Sequence, residues 1–149
     1  MRLRRARADD CEAIWRINND PEARKHSKQT ADIPLAEHEA WYARALADPQ
    51  ATIWIIEHES AIAGVVRFAR EKNAATVSIA LSPKQRRRGL GTQALMDACH
   101  RYQDENPGVS IEAWIAEGNK ASVAAFQTAG FHLKRSQLEA GRLYVIYAY

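Results

Sequence analysis

Apolar positions change their period several times along the chain, and each change marks an element. Residues 3–6 read as a short first strand. Asp9 or Asp10 can cap a helix whose apolar residues Ile14, Trp15 and Ile17 fall near helical spacing, and Asn18-Asn19-Asp20-Pro21 stops it. After an irregular polar stretch, Pro34 suits a first helical turn. Leu35, His38, Tyr42 and Leu46 follow at steps of three or four, giving a second helix that ends at Asp48-Pro49. Branched and aromatic residues fill 52–57 and 62–68, with His58-Glu59-Ser60-Ala61 between them as a hairpin turn, and 75–81 is a further strand closed by Ser82-Pro83. From Gly89 the helical period returns, with Ala94, Leu95, Ala98, Cys99 and Tyr102 on one face and Asn106-Pro107-Gly108 as its end. A strand over 109–115 follows. Asn119 then caps a helix that turns Val123 and Phe126 inward and stops at Gly130, and strands over 131–138 and 143–149 close the chain. This order predicts an α+β chain in αβα layers, with a mixed sheet of about seven strands and about four helices on its two faces.

Composition narrows the class without naming a function. A chain of 149 residues fits one domain over 1–149 and is long enough to bury a core without disulfides or metal. With 46% hydrophobic and 26% charged residues, collagen-like, low-complexity and wholly disordered classes are excluded. Lys+Arg 21 against Asp+Glu 18 leaves +3, too small an excess to imply nucleic acid by itself, although the basic balance is compatible with an anionic ligand. Cys11 and Cys99 lie far apart with no Cys or His at metal spacing, so neither a zinc site nor a disulfide framework is expected, and a reducing cytoplasm is the default. No apolar run approaches the roughly 18 residues of a membrane span, and the basic start leads into acidic residues instead of a signal-peptide core.

The segment richest in chemistry is Ser82-Pro83-Lys84-Gln85-Arg86-Arg87-Arg88-Gly89-Leu90-Gly91-Thr92, where a strand ends and a helix begins with two glycines. Amides at a helix N-terminus are unpaired and lie at the positive end of its dipole, and glycine lets a phosphate approach them without a Cβ in the way. A solvated arginine run before a glycine turn is the bland alternative. The segment lacks the Gly-Lys-Ser/Thr ending of a Walker loop and the third glycine of a dinucleotide fingerprint, and it follows a hairpin-rich half.

Arg86-x-x-Gly89-x-Gly91, after a strand closed by Pro83, resembles the acetyl-CoA motif of the GCN5-related N-acetyltransferase (GNAT) superfamily. Asn119-Lys120-Ala121-Ser122 with Gly130-Phe131 resembles that family's second motif at about the expected distance. The resemblance spans the whole chain in element order. It implies acetyl-CoA as cosubstrate and no metal. The amides of Arg87, Arg88, Gly89, Leu90, Gly91 and Thr92 would hold the pyrophosphate, with charge added by Arg86 to Arg88. It also implies that Ile79, Ala80 and Leu81 pair through their backbone with the pantetheine arm, which behaves as an added half-strand and requires a splayed sheet. Asn119 would touch the same arm, a reading that stands beside a plain helix cap. Phe126 occupies the place where the family usually has a tyrosine, so the resemblance sets it against the cosubstrate, although it cannot protonate a departing thiolate.

The N-terminal half, Trp15-Arg16-Ile17-Asn18-Asn19-Asp20-Pro21-Glu22-Ala23-Arg24 and then Glu37-His38-Glu39-Ala40-Trp41, resembles the bacterial aminosugar N-acetyltransferases that act on nucleotide-linked sugars in pseudaminic acid synthesis. His38 and Trp41, three apart, share a helix face. The resemblance implies that Asn18, Arg24, His38, Trp41 and Arg67 face the sugar or its diphosphate, which arginine suits through bidentate hydrogen bonds. The alternative puts Trp41 in the core and makes His38 a satisfied surface group.

No acid–base dyad is evident. His38, Glu112 and Glu57 are candidates acting through water, with His38 and Glu112 carried forward as catalytic candidates. An acyl-cysteine route through Cys11 or Cys99 is disfavoured. The sequence therefore points to direct attack of a primary amine on acetyl-CoA, most of the rate coming from positioning and backbone donors. A nucleotide-linked aminosugar is the expected acceptor and a monomer or homodimer in the cytoplasm the expected state, without nucleic acid or membrane. Acetylation of a protein N-terminus or lysine is the enzymatic alternative. A basic nucleic-acid module is the non-enzymatic one, but the segment lacks interleaved aromatics.

Overall fold

The computed structural model describes residues 1–149. Its elements are β1 (Arg2–Arg5), α1 (Cys11–Asn18), α2 (Pro21–Lys25), α3 (Leu35–Ala47), β2 (Ala51–His58), β3 (Ala61–Glu71), β4 (Ala74–Leu81), α4 (Leu90–Glu105), β5 (Ser110–Ala116), α5 (Lys120–Thr128), β6 (His132–Glu139) and β7 (Arg142–Ala148), with 3-10 turns at Ala8–Asp10 and Pro83–Gln85. The expected four helices are one short. Asp20 accepts the Ala23 amide at 3.4 Å and Pro21 fills the first helical position, so the tetrapeptide that ends α1 also starts α2. A five-residue helix has too few positions for a helical period to appear in the sequence. No helix is long and apolar enough to cross a membrane.

The seven strands form one mixed sheet in the order β1-β2-β3-β4-β5-β7-β6. Every pair is antiparallel except β4–β5, which runs parallel for only three positions: Ala74, Ala75 and Thr76 opposite Ser110, Ile111 and Glu112. Beyond Thr76, β4 continues to Leu81 held by β3 alone, and beyond Glu112, β5 continues to Ala116 held by β7 alone. The sheet is therefore splayed at its centre, as expected.

Alternation along the strands divides the side chains between two cores. Trp54, Val66, Phe68, Val77, Ile111 and Ala113 face α4 and α5, where Phe68 stacks on Tyr102 with centroids 4.2 Å apart. Ile53, Ile55 and Val65 face the other way and meet Ile14, Ile17 and Tyr42 of α1 and α3. Burying each such side chain contributes roughly 1.5–3 kcal/mol. Asp10 adds a polar clamp between β1 and α1. It accepts both terminal guanidinium nitrogens of Arg4 at 2.8 Å and the Arg7 amide at 2.7 Å. The register also fixes which residues share the α1–α3 face. Because Arg67 lies opposite Ser78 and Thr76 opposite Glu112, these four and Trp114 all fall on it.

Candidate active site

The two ends of the splay differ in what they offer a ligand. Past Leu81, Arg87 (φ 62°) and Gly89 (φ 72°) take left-handed backbone in the turn before α4, and such turns aim amides into a concavity that suits an anion. The first helical bond runs from the Gln93 amide to the Gly89 carbonyl at 3.2 Å. This leaves the amides of Leu90, Gly91 and Thr92 without helical acceptors at the positive end of a 16-residue helix. Gly89 lies in open space, so its backbone angle is what a side chain would disturb. Gly91 differs from the sequence reading. A Cβ there would stand 3.2 Å from Leu81 Cδ1 and 3.9 Å from Ile79 Cδ1, so its bareness serves the close seat of α4 on β4 and does not clear a path for phosphate.

Arg87 and Arg88 are exposed beside the cradle, whereas Arg86 is committed elsewhere. Its Nε donates to the Leu81 carbonyl at 3.2 Å and its Nη2 to Asp20 Oδ2 at 2.5 Å. Burial works to raise the Asp20 carboxyl, but Arg86 and the amides heading α2 hold it below the usual carboxylate range. Arg86 thus ties the cradle to the head of α2 instead of offering a free charge to phosphate. Between cradle and splay, the half-buried Ile79, Ala80 and Leu81 form the stretch of β4 without a β5 partner. Such an edge can pair with the amides of an extended ligand.

On the α1–α3 face, several residues expected to meet an acceptor are occupied. His38 is 2% exposed, and its Nε2 lies 2.9 Å from the Cys11 carbonyl while its ring stacks on Tyr42. Burial lowers its pKa. It joins α3 to α1 and is neither a catalytic nor an acceptor group, because a buried ring bonded to backbone cannot reach an amine. Arg24 donates Nε to the Asn18 carbonyl at 2.8 Å, Nη1 to the Gln29 carbonyl and Nη2 to Ser27 Oγ, each at 2.9 Å. All three nitrogens therefore fold the chain after α2, which corrects its acceptor role, and Asn18 enters the same knot through its carbonyl. The Trp15 indole and the Asn19 amide hold the Ile33 carbonyl at 2.8 and 3.0 Å, closing the other end of this loop. Trp41 and Arg67 remain. Arg67 lies 5.3 Å over the half-buried Trp41 ring.

Glu112 stands at the root of the splay, but its Oε1 accepts Lys134 at 2.5 Å and Arg135 at 3.5 Å. The Lys134 bond first, and Arg135 second, keep its carboxyl below the usual range, which makes it a weak base. Glu57 is bound by Arg4 at 2.6 Å on β2, with β3 between it and the β4 edge of the splay. Asn119 caps α5 by accepting the Ser122 amide at 3.2 Å, so the cap reading holds for its oxygen. Phe126, expected against the cosubstrate, is 3% exposed and meets Phe131 edge-on at 4.9 Å. It belongs to the core between α5 and the chain that follows it. Burial pushes the Cys99 thiol up to about 12 and raises that of Cys11, so neither supplies a thiolate near neutral pH. No group of three or more His, Cys, Asp or Glu side chains gathers as a metal site.

Sequence reasoning missed the wall across the splay. Lys28 lies 5.4 Å over Trp114 and 6.0 Å over Tyr144, Arg135 5.9 Å over Trp114, and Arg142 5.9 Å over Tyr144. Arg142 also donates to the Ser27 and Lys25 carbonyls, which seats the loop after α2 across β7. No local motif announces this wall, since Lys28 lies more than 80 residues before Trp114 and the remaining members come from three different strands. The period-2 placement of Trp114 opposite the core residues Ala113 and Ile115 was the one available signal.

An acetyltransferase (GNAT) domain model matches residues 1–132. The N-acetyltransferase YfmK of Bacillus subtilis (strain 168) is 29% identical over 100 residues, a match covering 65% of this chain and 65% of that protein. Among solved structures, the aminoglycoside acetyltransferase AAC(6')-Ib with bound coenzyme A and kanamycin superposes with a TM-score of 0.83 at 16% identity, over 99% of this chain and 92% of that one. The spermidine N-acetyltransferase of Vibrio cholerae, bound to CoA and spermine, gives 0.83 at 16% identity over 99% and 92%. A ribosomal-protein-alanine N-acetyltransferase from Brucella melitensis gives 0.83 at 18% over 100% and 99%. These likenesses are of fold, while the family model spans most of the chain and agrees with the splayed sheet and the glycine turn: the chain belongs to the GNAT acetyltransferase family.

Proposed function

We propose that this protein transfers the acetyl group of acetyl-CoA to a primary amine by direct attack in a ternary complex, and that the acceptor is a nucleotide-linked aminosugar. The observation that carries the transfer reading is the parting of β4 from β5 after Thr76 and Glu112, next to a cradle of free amides at the head of α4. In this reading the amides of residues 87–92 hold the pyrophosphate, and the β4 edge at Ile79, Ala80 and Leu81 pairs with the pantetheine arm. The thioester then lies in the splay beside Ser78. The neutral amine attacks the thioester carbonyl, the C–S bond breaks, the amine loses a proton and the departing CoA thiolate gains one. Glu112 is a poor base and Phe126 offers no acid, so the rate comes from positioning and from backbone donors on the carbonyl. A sugar amine, less basic than lysine, is neutral more often and suits a site without a strong base.

The sugar acceptor is supported by the Trp15–Arg24 and Glu37–Trp41 stretches, although His38 and Arg24 serve the fold. The test is thiol release from acetyl-CoA with a nucleotide-linked aminosugar, a polyamine and N-terminal and lysine peptides, with mass analysis of the products. Acetylation confined to the sugar supports the proposal. Preference for a peptide would favour protein acetylation, and absence of CoA binding would overturn the transfer reading itself.

A further inference from the structure

The sheet ends differently at its two edges. β1 is four residues long and carries three arginines, and the Leu3 carbonyl already accepts Arg101 at 3.3 Å. A short, charged edge of this kind discourages a further strand. β6 is eight residues long and its backbone bonds to β7 alone, which leaves its outward amides and carbonyls unpaired. Its basic residues do not guard the edge, because Lys134 and Arg135 both bend onto the α1–α3 face to reach Glu112. On the opposite face Leu133 and Leu138 stand 60% and 69% exposed, the two most exposed large apolar side chains of the protein.

Two leucines five apart in a regular strand would point to opposite faces. Here a bulge between Leu133 and Arg135 brings them together: Leu133 lies opposite Tyr147 and Leu138 opposite Leu143, positions of like parity on β7, and Tyr147 belongs to the α4–α5 core. With the bulge counted as one place, β6 is also self-complementary. In an antiparallel pair of two such strands about a two-fold axis at Ser136, Leu133 stands opposite the partner's Leu138, Arg135 opposite the partner's Gln137 and His132 opposite the partner's Glu139. Apolar meets apolar, members of each pair share a face, and no like charges stand opposite one another. Moving the axis to Arg135 sets that arginine against itself, and moving it to Gln137 leaves Leu133 without a mate.

We propose that the edge of β6 is an interface for a second copy of this chain, the two copies joining β6 to β6 about Ser136 into one continuous sheet of twice seven strands. Six strands then separate the two splays, with β5 about 24 Å from the partner's β5, so each copy keeps its own site and the proposal stands apart from the transfer reading. An interface built on one strand falls at the small end of specific contacts, so the dimer is reversible and depends on concentration.

The test is sedimentation velocity of the full chain from low to high micromolar concentration, for the parent, Leu133→Lys and Leu138→Lys. Circular dichroism and thermal unfolding serve as controls of fold. The parent should pass from monomer to dimer across this range. Each lysine should weaken association at least about 10-fold, since every substitution acts twice across the axis and a tenfold change needs only about 1.4 kcal/mol. The register is read separately by oxidation with diamide. Ser136→Cys chains meet on the axis and should become linked, whereas Gln137→Cys chains, displaced from it, should not. The parent, with Cys11 and Cys99 alone, gives the background. A dimer indifferent to both lysines, or equal linkage of the two cysteine variants, overturns the proposal. So does a parent that stays monomeric throughout, which would leave the edge to a strand of another protein.

Discussion

The two sides of the splay are made of different material. On the cosubstrate side the β4 edge, the turn at Arg87 and Gly89 and the head of α4 offer backbone groups. On the acceptor side the offer is made by side chains, and most of them are already bound within the chain. His38 and Arg24, both expected to meet a substrate, hold α3 to α1 and the loop after α2 in place. A site made of backbone leaves a local trace, because left-handed turns and close helix seating demand glycine at fixed places. Side chains acquire or lose a function according to partners that arrive from distant positions. The comparison teaches that a recognisable cosubstrate half does not license residue assignments in the acceptor half.

The sharpest way to break this contrast is at His38. If it is structural, His38→Ala removes a buried ring from between α1 and α3 and leaves the Cys11 carbonyl with one partner fewer. A loss of about 3 kcal/mol is expected, from the cavity and the unpaired group together. For a chain of this size that lowers Tm by roughly 6–12 °C. Arg24→Ala should destabilise by less, about 2 kcal/mol, since its pairing is half exposed. Thermal unfolding checks both. If either variant keeps the parent Tm and loses only acceptor turnover, the residue is functional after all and the side-chain half was readable.

The same contrast predicts a cosubstrate-side variant that leaves the fold alone. Gly89→Val forces a branched side chain into φ 72° in open space, where strain of about 1–3 kcal/mol falls on the turn that aims the amides. CoA affinity should drop about 10- to 100-fold by calorimetry, the same strain read as binding, with far-UV dichroism unchanged. Gly91→Ala is expected to act through packing instead, because its Cβ meets Leu81. Equal effects of the two on CoA would mean that both glycines line the phosphate.

How far the fold could be read follows the same division. The seven strands and four of the helices were legible because their apolar residues repeat over eight or more positions or end in clear turn chemistry. Helix α2 was not, since its five residues carry no period. Within the candidate site, the turn before α4 was legible from the Arg86, Gly89 and Gly91 spacing and the inward face of Phe126 from the period of its helix, but nothing local marks the turn of Arg86 away to Asp20. That pair joins residues 66 positions apart and depends on which partner the fold delivers from a distance. The wall of Lys28, Trp114, Arg135, Arg142 and Tyr144 is the extreme case, assembled from four separate segments.

The smallest expected effect, and the one that couples the halves, concerns Asp20. Its carboxylate caps α2 through the Ala23 amide and also binds Arg86 of the cradle at 2.5 Å. Asp20→Asn keeps a good capping oxygen and removes only the charge pair, so helix α2 should persist. The pair is partly exposed and worth about 1 kcal/mol. Released from Asp20, Arg86 becomes free to face the phosphates, and the anchor of α2 loosens. CoA should therefore bind a few-fold more tightly while the acceptor KM rises by a similar factor, a movement in opposite directions that general destabilisation does not produce. The pH dependence has a definite sign. The folded carboxyl lies below its ordinary value, so its contribution is complete above about pH 4 and fades as pH falls through the lower folded value. At the neutral and alkaline pH where an amine acceptor is reactive the bridge is intact, and the opposite shifts of CoA affinity and acceptor KM should persist across that range. If both constants move the same way, or if their shifts vanish as pH rises from neutrality, Arg86 does not divide its charge between the halves.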